Sequence, residues 1–124
     1  RWSAPEHGAR AREIAAAVWS EEVERIGDRW YLLPGRWARG YDPRPLNLSY
    51  YSPALLRRLA AIDPEHPWAE VAATTYHLLS VRLPTTGLPP DWISVATRDG
   101  ALAPGAIGGQ LSDRFGHDAY RVYW

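Results

Sequence analysis

The chain has no cysteine, no methionine and no lysine among its 124 residues. Without Cys there is no disulfide and no thiolate metal site, which leaves the redox compartment undetermined. Without Met the chain does not contain its own start, so it reads as a mature product, an excised domain or a fragment. Without Lys, all fourteen basic residues are Arg, and they balance fourteen acidic ones to a net charge of zero. A nucleic-acid binder working through a basic patch would carry a positive excess, so that partner class is disfavoured. No apolar run approaches the roughly 18 residues that a membrane-spanning helix needs, and no signal-like leader opens the chain, so any export signal is expected upstream or already removed.

What the chain has in excess is tryptophan, with seven: Trp2, Trp19, Trp30, Trp37, Trp68, Trp92 and Trp124. Indole rings fill cores, and their faces also stack on the C–H faces of pyranose sugars. Trp19 and Trp68 sit at helical spacing within apolar stripes and are assigned to the core. Trp37 and Trp92 lie in loops rich in Gly, Pro and Asp and are candidates for a cleft.

Periodicity gives a largely helical chain. A capping-box pattern at Ser3–Glu6, with Ala15, Trp19, Val23 and Ile26 following at three- and four-residue steps, predicts a helix over about residues 4–26 stopped by Gly27. Residues 28–33 read as a short extended segment and 34–46 as a loop. Ser52-Pro53 reads as the cap and first residue of a second helix that buries Leu55, Leu56, Leu59 and Ile62 and ends near Asp63-Pro64. A third helix begins at Pro67, turns Trp68, Val71, Thr75, Leu78 and Leu79 inward, and stops at Leu83-Pro84. Residues 85–91 read as loop, 92–96 as a possible short strand and 98–100 as a turn. A fourth helix is expected from Gly116 or His117. Amphipathic helices of this number leave apolar faces uncovered, which implies a part of a larger all-α layer with long loops carrying the site.

The last ten residues carry the strongest chemical signal. Asp118 stands three places before Arg121 in a run otherwise of aromatic, apolar and small residues plus His117, and on a helix that spacing sets both groups on one face. A carboxylate beside a fixed cation among aromatic rings suits a sugar cleft. From these residues alone, a helix cap paired with an arginine is an equally good reading.

Four stretches in order resemble the C-terminal portion of glycoside hydrolase family eight, and most closely its cellulose-synthase-associated endoglucanases. They are Leu32–Trp37, Asn47–Ala60, Gly87–Trp92 and Gly116–Trp124. The resemblance implies an all-α fold: a portion of a toroid of six α-hairpins, with room for a short strand pair, so that residues 1–124 are one partial catalytic domain. It also implies an inverting endo-β-1,4-glucanase, whose two carboxyl groups stand roughly 6.5–9.5 Å apart. Asp118 matches the general base and Arg121 the arginine beside it. Tyr50 falls in the motif lining the cleavage subsite, where Asn47-Leu48-Ser49-Tyr50 has Leu in place of the family's Pro. Asn47, Trp37 and Trp92 are the remaining candidate substrate contacts. The family's catalytic glutamate and its Asp-Ala-Asp motif would lie upstream of residue 1, so the chain alone is expected to be inactive.

No cofactor is implied, because two carboxyl groups and a water suffice. His7, His66, His77 and His117 lack ligand-like spacing, so no metal site is expected, and His117 is read as lining the cleft. The implied partners are a β-1,4-glucan and, beyond it, either the missing N-terminal part of the same domain or a cellulose synthase complex. The implied location is secreted or periplasmic. Other readings left open are a non-catalytic glycan-binding module, a helical interaction domain, and a xylanase or chitosanase of the same family.

Overall fold

In the computed structural model, which describes residues 5–123, three α-helices alternate with five short strands. Helix α1 is Pro5–Glu22, α2 is Pro53–Ile62 and α3 is Trp68–Thr86. Strands β1 (Val23–Ile26) and β2 (Arg29–Leu32) form an antiparallel hairpin. Strands β3 (Arg44–Asn47), β4 (Trp92–Val95) and β5 (Leu102–Pro104) form a second antiparallel sheet with β4 in the middle. The all-α expectation is therefore corrected: helices make the bulk, and two small sheets join them.

The first helix ends four residues earlier than its apolar spacing predicts. Val23 and Ile26 are three apart, which fits a helix face, yet both are buried as the ends of β1, opposite Leu32 and Arg29. β-Branched residues favour the extended form when a partner strand is present. The partner is supplied by a two-residue turn in which Gly27 takes a φ of 61°. What ends the helix is Arg39, whose guanidinium donates to the carbonyls of Ser20, Glu21 and Val23 at 3.3, 3.0 and 2.8 Å. Such carbonyls have no partner within a helix that stops there. Ser3 of the expected capping box lies outside the described residues.

The predicted loop over 34–46 also holds structure, with a 3₁₀ turn at Arg36–Gly40 and then β3. Its end is fixed by Arg44, which grips Glu24 of β1 through two bonds of 3.1 Å, and by Asp42, which accepts from the backbone and hydroxyl of Thr97.

In α2, Ser52 caps as expected, but Leu55 is exposed, and the inward stripe is Leu56, Leu59 and Ala60. Helix α3 turns Trp68, Val71, Thr75 and Leu78 inward, and it continues past Pro84 to Thr86, since a proline in the last turn removes a single backbone bond. The core runs from Ala15 of α1 through Tyr31, Leu33, Leu46, Leu48 and Leu56 to Ile93 and Val95. Trp68 is fully buried and Trp19 partly so, with Trp19 packed on Trp30, Trp68 and His66 at ring distances of 4.9, 5.1 and 4.9 Å. Tyr51 joins the hairpin to α2 through its hydroxyl, which accepts from the Leu32 amide at 2.9 Å; burial pushes that hydroxyl's pKa far up. No helix among the described residues is long and apolar enough to cross a membrane.

Candidate active site

The site forms where β3 ends and β4 begins. Antiparallel pairing sets Asn47 opposite Trp92, and directly opposed residues point to the same face. Beyond Asn47 the chain turns into a 3₁₀ segment, Leu48–Tyr50, because the Asn47 side chain accepts from the Ser49 amide (3.0 Å) and hydroxyl (2.6 Å). That turn packs against the last segment of the chain, Ala119–Tyr123, which is 3₁₀ and not the expected α-helix. The Arg121 amide reaches the Asp118 carbonyl at 3.2 Å, the i to i+3 bond of a 3₁₀ turn. Such a turn eclipses residues three apart, so it aligns Asp118 with Arg121 more closely than an α-helix would.

Asp118 is held by both carboxylate oxygens. Oδ1 stands 3.2 Å from the Arg121 guanidinium, and Oδ2 accepts from the Asn47 side-chain amide at 3.2 Å. Its side chain keeps 29% of its surface open to solvent. A carboxylate has about four lone-pair sites, so two donors leave room for a water. Asn47, in contrast, is 1% exposed and has its oxygen on Ser49 and its nitrogen on Asp118. It touches the Asp118 carboxylate and is buried from the open surface.

Tyr50 and Trp37 are exposed, as cleft residues would be, and Trp92 is half-buried. Trp37 lies 6.4 Å from Trp92 and 6.0 Å, edge-on, from Tyr41. Together the three rings make an aromatic ledge on the entrance to β4. Arg121 also borders an open depression of about 420 Å³ with Arg57, Tyr76 and Ser49. His117 is exposed with its ring 5.8 Å from Tyr120. No cluster of three or more His, Asp or Glu side chains among the described residues could hold a metal ion.

Comparison with known proteins decides what this arrangement belongs to. Residues 6–124 match the sequence profile of glycosyl hydrolases family 8. The chain belongs to that family. An endoglucanase of Xanthomonas axonopodis pv. citri (strain 306) is 36% identical over 73% of this chain and 24% of its own length. A probable endoglucanase of Novacetimonas hansenii is 34% identical over all of this chain and 37% of its own. The solved endo-β-1,4-glucanase CMCax of Acetobacter xylinum superposes with a TM-score of 0.82 at 30% identity, over 95% of this chain and 37% of that one. The matched stretch thus spans between about a quarter and little more than a third of the length of these relatives.

Two residues near the site were missed by sequence reasoning. Tyr41 gave no signal, standing alone in a Gly/Asp/Pro loop. Asp91 did give one, since it stands inside Gly87–Trp92, one of the four stretches behind the resemblance, but no role was attached to it. In the structure one Asp91 oxygen accepts from the backbone amides of Gly116, Asp118 and Ala119.

Proposed function

We propose that these residues form the general-base side of the cleft in an inverting endo-β-1,4-glucanase, as a segment of an α/α toroid. The observation that carries the reading is Asp118, partly open to solvent and fixed at both oxygens by Arg121 and Asn47. Family membership and the relatives named as endoglucanases support the glucan substrate.

In this mechanism Asp118 takes a proton from a water as that water's oxygen bonds to the anomeric carbon. The bond from that carbon to the leaving oxygen breaks as a carboxylic acid on the opposite side protonates that oxygen, roughly 6.5–9.5 Å from the base. Configuration inverts, and both carboxyl groups exchange their protons with solvent before the next turnover. Arg121 orients Asp118 and meets a sugar hydroxyl, and Tyr50 hydrogen-bonds at the scissile sugar. Trp37 and Trp92, with Tyr41 beside them, give a face on which a neighbouring ring stacks. Asn47 acts through Asp118. The acid comes from a segment outside these 124 residues, in keeping with the share of the relatives' length that they span. The family likeness also favours a protein of the periplasm or the cell exterior.

The test is reducing-sugar release from carboxymethyl-cellulose by the full-length polypeptide carrying these residues, with Asp118→Asn alongside. The expected outcome is an active parent and a folded variant with turnover lowered about 10²-fold or more. Equal activity of the two would refute the base assignment, and affinity for glucan oligomers with no activity in the parent would favour a binding module.

A further inference from the structure

We propose that Asp91 is a positioning residue for Asp118: its carboxylate fixes the backbone turn from which the base projects. The inference rests on the reading of Asp118 as the base. A single oxygen, Oδ1, accepts from the amides of Gly116 at 3.1 Å, Asp118 at 3.0 Å and Ala119 at 2.7 Å. Three N–H groups converging on one charged acceptor define the path of the chain on both sides of the base, and charge-assisted bonds of this kind are stronger than neutral ones.

Asp91 is itself anchored. Its amide donates to the Arg114 carbonyl at 2.8 Å, and the Trp92 amide donates to the Ser112 carbonyl at 3.1 Å, so segment 112–114 runs alongside the entrance to β4. The turn closes tightly on the carboxylate: a Cβ at Gly116 would fall inside van der Waals contact of the Asp91 side chain. Asp118 is therefore fixed twice, in its backbone by Asp91 and in its carboxylate by Asn47 and Arg121. Only the first of these sets where the Cα sits. A general base must lie within hydrogen-bond reach of its water, and a misplacement of about 1 Å can cost about 10²-fold in rate.

The experiment compares kcat and KM on soluble cello-oligosaccharides for the full-length polypeptide and its Asp91→Ala, Asp91→Asn, Gly116→Ala and Asp118→Asn variants, with circular dichroism melts on each. Asp91→Ala is expected to lower kcat about 10²-fold with KM within about threefold, because Tyr50, Trp37 and Trp92 keep their proposed substrate contacts while the base drifts. Asp91→Asn keeps an acceptor oxygen and is expected to recover kcat to within about tenfold of the parent. Gly116→Ala leaves both carboxylates present and is expected to show the same split, a lowered kcat with little change in KM. Parent-like kcat in Asp91→Ala and Gly116→Ala, with Asp118→Asn inert, overturns the positioning role alone. Losses that only track the folded fraction, with no recovery in Asp91→Asn, overturn it as well. Full activity in Asp118→Asn overturns instead the reading of the base. Should Asp91→Ala fail to fold, the asparagine and Gly116→Ala variants decide.

Discussion

Asp63, at the end of α2, is a carboxylate almost wholly removed from solvent. Burial opposes its charge, but the bonds from the Trp68 indole at 2.9 Å and from His66 at 2.8 Å, together with the His66 charge, outweigh it. Its pKa is thereby held below the ordinary 3.8. A carboxylate whose folded pKa is depressed contributes stability that is fully present above its unfolded value and is lost as pH falls through the folded one. Asp63→Asn is accordingly expected to melt lower than the parent at pH 7, yet to lose less when the pH drops from 5 to 3. Thermal melts at the three pH values check this, and an equal acid-induced fall in both proteins would refute it. The same residue explains why Trp68 can be buried whole: its one polar atom has a partner.

Among the elements, the end of α1 depends on a side chain sixteen to nineteen residues away from the carbonyls it bonds. Arg39 bonds three carbonyls with its planar fork while partly exposed. Arg39→Ala is expected to lower the unfolding free energy by about 1–3 kcal/mol in urea titrations. Arg39→Lys should recover little of that, since an ammonium lacks the fork; full recovery by lysine would show that charge alone matters. This contact also marks what the sequence could and could not reveal. Ser52-Pro53, the stripe of α3 and, through Leu56 and Leu59, part of that of α2 were legible because capping and helical periodicity are local. The switch from helix to strand at Val23 was not, because Val23 and Ile26, three apart, fit the helical period, and the choice of strand falls to β2, Arg39 and the turn at Gly27. Strand β3 was hidden for a related reason: Arg44-Pro45-Leu46-Asn47 is extended only through pairing with β4, almost fifty residues on. Asp118 and Arg121 were legible as a pair from spacing and resemblance. Their settings, Asn47 and Asp91, come from positions 71 and 27 residues distant, which no local pattern reports.

For the whole molecule, the proposed division of labour predicts that the isolated 124 residues hydrolyse carboxymethyl-cellulose at least about 10²-fold more slowly than the full-length polypeptide, since general acid catalysis commonly contributes 10²- to 10⁴-fold. Specific activities of the two, measured side by side, check this; a comparable rate from the short chain would place the acid inside it. The pairing of β3 with β4 has a further consequence. Asn47 and Trp92 are cross-strand partners, and Asp91 precedes Trp92. The two residues that hold Asp118, Asn47 and Asp91, and one of the rings proposed to grip sugar, Trp92, are thus mounted on one pair of crossbeams. A slip of one residue between the two strands would turn Trp92 and the two residues that hold Asp118 out of alignment together.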